Sequence, residues 1–577
     1  MPPLSITPSS IYSRLRAGLK RGGRVKALVH RMVPGSGGGL ATDIYLPDGP
    51  GPFPAVLQRT PYHRRGMESL APRFVGRGYA FVVQDCRGKY DSDGTFTPLV
   101  HEAEDGAATL DWVANQFWCN GRIGLWGRSY HGIVQIPAAI SGHPALRCIA
   151  PSVAPGSFFR DWLRYDGCFA LGNAVRWGLT HASCRTQPPQ GHFSWDDLHA
   201  LGGPDQIAAR VGFTAPCLDD WLGRDQYDAY WATLDQDRMY GRVGVPGLHA
   251  GGWFDHLTRT QYEAYRGIAD EGATAAAREG QRLLIGPWGH RTISIRGGEH
   301  IRYGDWDFGA AADLDVLEYE LRFLDLHLRD IDDGLTDEAP VRVFLMGQNR
   351  WVDLDDWPVP GMQTQDWFLD SDGAASAAGG VLRVDGAGTD CQDTFRYDPR
   401  DPVPSRGGAL YWGLEHRGPV EQRPNMQRAD VLSYRSQVLE RPLTAIGDVG
   451  LTLYVASDCE DTDFIARLCV ETPDGAVYCL SQGSLRCRFR DSWSEPQGLE
   501  SNTPTKVRLQ LGQTAYRFAA GSRIVVSVTS SDFPRILPHP NHLAPLFAGD
   551  PVVARNSILH GGAFPSCLHL PVVEGID

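Results

Sequence analysis

Short apolar runs alternate with longer amphipathic stretches over the first part of the chain. Residues 53–58 (FPAVLQ) and 79–84 (YAFVVQ) are apolar runs of strand length with turn residues beside them, which predicts buried strands. Residues 102–117 carry Ala107, Leu110, Val113, Ala114 and Phe117 at helical spacing, the pattern of a helix with one apolar face. Residues 122–126 form another short apolar run, followed at once by small residues and a helix-like stretch, 131–140. Strand, helix and strand in succession predict a parallel sheet covered on both faces, an α/β domain.

From about residue 150 to 240 aromatic and charged residues are dense and strand signals sparse. Periodicity there supports helices at 158–171 and 219–233, so this segment is expected to be a helical insertion. Strand-like runs resume at 245–249 and 282–285, and 311–328 has the pattern of a long amphipathic helix closing the domain. Beyond about 335 the chain changes again. β-branched, alternating stretches recur at 341–346, 450–456, 464–470, 507–511 and 524–529, separated by Gly, Pro and Asp. That is an all-β pattern, sandwich or jelly roll. The Ala/Gly-rich segment 373–380 is expected to be a loop tip. The division is then 1–150 and 241–335 for the two parts of the α/β domain, 151–240 for a helical cap and 336–577 for the β domain.

Composition narrows this picture. A chain of 577 residues exceeds what one hydrophobic core supports. The formal charge of −13 argues against nucleic acid as a partner. The most basic stretch, 14–31, holds Arg14, Arg16, Lys20, Arg21, Arg24 and Lys26 and is expected to be a solvated arm. The 12 cysteines show no CxxC pair, so neither a zinc site nor a cofactor is expected, and Cys469 reads as a small buried hydrophobe. No stretch is long and apolar enough to span a membrane and the first residues lack a signal-peptide pattern, so a cytoplasmic protein with reduced thiols is expected. Sixteen tryptophans suggest that some line a pocket or an interface.

Against this background one motif carries chemistry. In Gly124-Leu-Trp-Gly127-Arg-Ser129-Tyr130-His131-Gly132 a predicted strand meets a predicted helix with Ser129 at the turn, the context of a nucleophile elbow. Such a turn exposes the serine hydroxyl and aims the Tyr130 amide at a developing oxyanion. The usual second glycine, at Ser plus two, is His131 here, and Gly132 comes one later. A serine hydroxyl needs a base, and the base an orienting acid. In this fold the chain order is Ser, then Asp or Glu, then His. Asp255 ends the Gly-rich loop after the strand at 245–249, and His290 ends the loop after 282–285. His131, His249 and His256 compete as base, and Asp305 or Asp307 as acid. Tyr62, in the loop after the strand at 53–58, could offer its hydroxyl to the oxyanion; from the residues alone it serves equally as a packing tyrosine.

These stretches resemble the bacterial cocaine esterase family, whose wider group includes α-amino-acid ester hydrolases, glutaryl cephalosporin acylases and X-Pro dipeptidyl-peptidases. The matching segments are Pro61-Tyr62, Gln84-Asp85-Cys-Arg87-Gly88, Trp118-Cys-Asn-Gly121, Gly127-Arg-Ser129-Tyr130-His-Gly132, Gly252-Trp253-Phe-Asp255, Gly286-Pro287-Trp288-Gly-His290, Met346-Gly347-Gln-Asn349-Arg-Trp351 and Asp461-Thr-Asp463-Phe464. The resemblance implies an α/β-hydrolase domain, a helical cap and a C-terminal jelly roll. It implies that Ser129, Asp255 and His290 form the triad and that Tyr62 and the Tyr130 amide bind the oxyanion. It also places glycine at Ser plus three, which Gly132 supplies.

The expected reaction is hydrolysis of a small-molecule ester or amide through an acyl-enzyme on Ser129. An acyltransferase or cyclase using the same acyl-enzyme, an X-Pro-type peptidase and a non-catalytic binding protein are the alternatives, and homo-oligomerisation is left open. Arg128, His131, Phe159, Trp162, Trp177, Trp253, Phe254 and His256 are candidates for the substrate pocket, each equally a core residue. The α-amino-acid ester hydrolases carry an acidic pair just after the triad aspartate; here His256 and Leu257 follow Asp255, and Asp161 or Asp166 could supply one carboxylate only. An aminoacyl substrate is therefore disfavoured. Tyr90-Asp91-Ser-Asp93-Gly94 lacks the EF-hand glycine and reads as a turn. Asp458, Glu460, Asp461 and Asp463 read as a solvated acidic loop.

Overall fold

The computed structural model describes residues 25–182, 185, 215–290, 292–293, 302–377, 379–410 and 417–576. The apolar runs of the first part become strands of a ten-stranded sheet: β1 (Val25–Gly35), β2 (Gly38–Pro47), β3 (Phe53–Thr60), β4 (Ala80–Asp85), β5 (Cys119–Arg128), β6 (Leu146–Ser152), β7 (Gly247–Gly252), β8 (Gln281–Gly286), β9 (Val341–Leu345) and β10 (Arg350–Leu354), in spatial order β1-β2-β4-β3-β5-β6-β7-β8-β9-β10. From β4 to β9 every pairing is parallel, and antiparallel hairpins close both edges. The helix Glu102–Ala114 packs its Leu110 and Val113 with Ala55, Leu57 and Val82 on one face. On the other, Leu317, Leu321, Leu324 and Leu328 of the helix Val316–Arg329 pack with Val56, Phe81 and Trp126. Alternate residues of β3 thus enter opposite cores, as a strand buried on both faces requires.

Four expectations need correction here. The strand at 341–346, read as the start of the β domain, pairs in parallel with β8 and completes the first sheet. A buried β-branched run shows that a strand exists, not which sheet accepts it. The helix expected over 158–171 is broken: a π-helical turn at Phe158–Trp162 leads into a two-residue hairpin, Arg164–Tyr165 with Cys168–Phe169, and a helix starts only at Leu171–Trp177. Asp166 and Gly167 at positive φ form that turn. The stretch 219–233 likewise divides into helices Pro216–Gly223 and Ala229–Leu234. At the start, β1 takes up the end of the basic stretch as a strand rather than an arm. Arg14, Arg16, Lys20, Arg21 and Arg24 lie outside the described residues.

The cap segments share one aromatic core, in which Phe159, Trp162, Trp177, Trp221 and Trp231 are all buried. The C-terminal jelly-roll domain is all-β, with 11 strands among the described residues, antiparallel except where Gly380–Arg383 runs beside Leu432–Ser436. It grips the cap: Arg486 N–H donates to Asp166 O at 3.1 Å, Ser484 Oγ donates to Tyr165 O at 3.0 Å, and Phe489 meets Phe159 edge-on. Of the acidic cluster, Asp458 and Glu460 are exposed in a loop as expected, but Asp461 and Asp463 build this grip. Asp463 is fully buried in a bidentate pair with Arg486, and Asp461 is equally buried beside Arg488 and His539. A buried carboxylate is tolerable when paired and hydrogen-bonded. Sequence spacing does not reveal the partners, which come from other strands and a later loop. Tyr90–Gly94 is a turn as expected: Asp91 pairs with Arg64 and Asp93 accepts the Gly39 amide.

Candidate active site

At the end of β5 the chain reverses sharply. Ser129 sits at φ 58°, ψ −129°, and the helix Tyr130–Ile133 starts immediately after it. Non-glycine residues adopt such φ values only when their surroundings enforce them. Here the Ser129 amide donates to Ser152 O on β6 at 2.9 Å, and the Gly132 amide returns to Ser129 O at 2.7 Å. A Cβ at Gly127 would lie 2.4 Å from the His131 Cβ, and one at Gly132 would lie 2.8 Å from the Ala154 Cβ. This explains why the second glycine stands at Ser plus three: that position, not His131, meets the neighbouring strand's loop.

Two later loops reach the same sheet edge. The loop after β7 brings Asp255 and the loop after β8 brings His290. Their backbones are joined by Trp253 N–H to Gly286 O and Phe254 N–H to Trp288 O, both 2.9 Å. His290 Nδ1 donates to Asp255 Oδ2 at 2.8 Å, and His290 Nε2 lies 3.1 Å from Ser129 Oγ. Asp255 is buried, and its other oxygen accepts the Leu257 amide at 2.7 Å. Burial alone would raise the Asp255 carboxyl, but His290, His256 and the Leu257 amide outweigh it and hold the pKa below the usual range. The carboxylate therefore stays ionised and holds the imidazole with its Nε2 lone pair toward Ser129.

Opposite them stands Tyr62, in the loop after β3. Burial pushes its hydroxyl pKa upward, opposed by interactions with the Ser129 side chain, Trp177 and the Tyr130 backbone. The phenol is thus a neutral donor beside the Ser129 hydroxyl and the Tyr130 amide, as an oxyanion site requires. No rival base occupies such a position. His131 accepts from Gln58 Nε2 at 3.0 Å and donates from Nε2 to Thr60 Oγ1 at 2.7 Å, and burial lowers its pKa to about 3. His249 bonds Gln281, and burial lowers it to about 4. His256 sits behind Asp255, 3.5 Å from its Oδ1, and burial lowers it to about 3. Asp305 accepts the Glu421 amide and Asp307 the Gly309 amide.

Residues 36–292 match the family model described as X-Pro dipeptidyl-peptidase (S15 family), and residues 333–569 that of the X-Pro dipeptidyl-peptidase C-terminal non-catalytic domain. Cocaine esterase of Rhodococcus sp. (strain MB1 Bresler) is 33% identical over 568 residues, spanning 93% of this chain and 96% of that protein. The chain belongs to the cocaine esterase family of serine hydrolases. Among solved structures, an α-amino-acid ester hydrolase superposes with a TM-score of 0.81 at 25% identity, covering 96% of this chain and 99% of that one. An aminopeptidase from a marine sediment Thaumarchaeota archaeon reaches 0.83 at 24% identity, covering 96% and 98%; that likeness shows the fold.

Within this cocaine esterase-family fold the pocket candidates separate. Trp177 reaches the site, donating its indole N–H to the Tyr62 hydroxyl at 3.0 Å. His131 packs 5.2 Å from the Tyr62 ring, and Trp162 stands behind Trp177. Phe159 is fully buried among Tyr227, Trp231 and Phe489, and Phe254 is fully buried against Tyr303 and Phe308. Both are core residues rather than pocket walls. Trp253 donates to Phe344 O and packs on Tyr262. Arg128 is a strut: it bonds Ile293 O, in the loop carrying His290, and pairs with Glu320 at 3.4 Å.

Two networks escaped the sequence reading. Glu320, wholly buried on the helix Val316–Arg329, accepts from Trp126 Nε1 and Ser152 Oγ, both at 2.7 Å, and so braces the elbow from beneath. Thr60 accepts both His131 Nε2–H and the Tyr62 amide, linking the elbow helix to the Tyr62 loop. A buried Glu at a helical core position is the one sequence signal for the first; nothing marks the second.

Asp161 and Asp166 line a cavity behind Asp255 and His256, with Arg259 3.5 Å from Asp161 and 2.9 Å from Asp166. Burial and Glu263 push Asp161 up to about 8. Arg259 thus balances the charge of both carboxyls, an environment ill suited to a substrate ammonium. Among the described residues, two groups bring three ligand-type atoms within 4.8 Å of one another: Asp255, His256 and His290, and Asp366, Cys567 and His569 on the β domain. In the first group Asp255 and His290 are already engaged with each other and with Ser129. No helix among the described residues is long and apolar enough to cross a membrane.

Proposed function

We propose that this enzyme hydrolyses a small carboxylic ester through an acyl-enzyme on Ser129. His290 Nε2 takes the Ser129 proton as Oγ attacks the carbonyl, then delivers it to the leaving alcohol. Asp255 holds the imidazole and stabilises the imidazolium. The Tyr62 hydroxyl and the Tyr130 amide stabilise the tetrahedral oxyanion. Water, deprotonated by the same imidazole, attacks the acyl-enzyme, releases the acid and restores the Ser129 hydroxyl.

The observation that carries this reading is the continuous hydrogen-bonded chain from Ser129 through His290 to Asp255, at 3.1 and 2.8 Å, beginning at a strained turn. An ester is favoured over an aminoacyl or X-Pro substrate by the name of the cocaine esterase that is 33% identical over nearly its full length, and by the carboxylates paired with Arg259 beside the site. The test is a panel of nitrophenyl esters, an aminoacyl ester, a matched anilide and an X-Pro anilide, with Ser129→Ala as blank. Serine-dependent turnover of simple esters is the expected result. Turnover confined to the X-Pro anilide would overturn the ester assignment, and product formation only with an added amine or alcohol would make the enzyme a transferase.

A further inference from the structure

Tyr62 offers one proton and two lone pairs, and the surroundings of its hydroxyl divide these unequally. The indole of Trp177 is a donor only, so its 3.0 Å bond to Tyr62 must fill a lone pair of the phenolic oxygen. The Tyr130 backbone and the Ser129 side chain act on the same oxygen. A backbone amide is likewise a donor. Of these three groups, only the Ser129 hydroxyl can accept the Tyr62 proton, and it stands beside the position where the substrate carbonyl oxygen becomes the oxyanion.

Trp177 is rigid enough to impose this. It is 1% exposed, stacks on Tyr130 with ring centroids 5.5 Å apart and planes 6° from parallel, and meets Trp162 edge-on at 5.1 Å. Tyr130 is itself fixed, donating its hydroxyl to Glu102 at 2.8 Å and accepting the Leu99 amide at 2.8 Å. The buried aromatic column therefore runs from the cap core to the elbow helix and aims the Trp177 N–H at Tyr62.

We infer that Trp177 is a positioning residue for acyl transfer: its indole N–H occupies a lone pair of the Tyr62 hydroxyl and turns the single Tyr62 proton toward the oxyanion. The cap thereby sets the orientation of an oxyanion donor that belongs to the hydrolase domain. The indole also draws electron density from the phenol, which opposes the burial that makes Tyr62 a weaker acid. This inference rests on the oxyanion role proposed for Tyr62.

The experiment is a double-mutant cycle on the full-length enzyme with a nitrophenyl ester: wild type, Trp177→Phe, Tyr62→Phe and the double variant, with kcat and KM measured separately. Trp177→Phe keeps an aromatic ring and loses the donor. It should lower kcat about tenfold, the worth of one neutral hydrogen bond, and leave KM nearly unchanged. In the Tyr62→Phe background the same substitution should change kcat by less than about twofold. Equal losses in both backgrounds, or no loss with Tyr62 intact, would overturn the inference alone. A wild-type rate for Tyr62→Phe would overturn the oxyanion role and the inference with it. Should Trp177→Phe not fold, Trp177→His and Trp177→Leu form a second pair, similar in volume and different in the ring N–H; the His variant should retain the higher kcat, and equal values would count against the proposal.

Discussion

The elbow and the cap solve different problems with neighbouring residues. At the elbow the polar atoms are joined in a directed chain. Ser129 faces His290, His290 faces Asp255, and Asp255 turns its remaining oxygen to the Leu257 amide. In the cap the aromatic side chains interlock by packing: Phe159, Trp162, Trp221 and Trp231 are buried against one another. Trp177 belongs to both regions, packed like a core residue and bonded like a site residue. The difference shows where chemistry ends and scaffold begins. Removing a group at the elbow should stop turnover in a protein that stays folded, whereas removing one in the cap should unfold a protein whose remaining molecules still turn over.

That contrast can be broken at several points. The largest effect should come from the triad: Ser129→Ala is expected to cost about 10⁶-fold and Asp255→Asn about 10⁴-fold in kcat, with an unchanged thermal midpoint for Ser129→Ala. Next is Phe159→Ala, expected to lose about 3–5 kcal/mol of stability through the cavity left behind. Urea unfolding measures the loss, and active-site titration should give an unchanged kcat per folded molecule; a kcat loss to match that of the triad variants would erase the distinction. Tyr62→Phe should lose about 2.7–4 kcal/mol of transition-state stabilisation, seen in kcat with stability nearly intact.

The smallest expected effect concerns acid stability at the grip between the β domain and the cap. Burial alone would raise the Asp461 carboxyl, but His539, Arg488 and Arg486 outweigh it and bring the pKa to about 2, below the usual 3.8. A depressed carboxyl stabilises the fold above its unfolded pKa and loses that contribution as the pH falls through the folded one. About 2 kcal/mol should therefore disappear between roughly pH 4 and pH 2. In Asp461→Asn, although weaker overall, the unfolding free energy should fall less steeply over that window than in the wild type; parallel slopes would assign the acid sensitivity elsewhere.

The parts legible in the sequence were those fixed by local pattern. Buried strands, the strand-turn-helix around Ser129 and the Gly-rich loops ending at Asp255 and His290 each announce themselves within about ten residues. What stayed hidden depends on partners far apart in the chain. Glu320 braces a strand almost two hundred residues earlier, and the Asp461 and Asp463 carboxylates read as solvated because Arg486, Arg488 and His539 could not be placed beside them. Val341–Leu345 was legible as a strand but not as the ninth of the first sheet. The pocket was least legible, since a buried aromatic has the same sequence signature whether it lines a cavity or fills a core. Only the donated hydrogen bond sets Trp177 apart.

Covalent capture shows directly whether Ser129 is the nucleophile. A fluorophosphonate should label the wild-type enzyme once, on the peptide carrying Ser129, with esterase activity falling in step with the label, and should leave Ser129→Ala unlabelled. Label on another residue with activity lost in parallel, or full labelling of Ser129→Ala, would contradict the account.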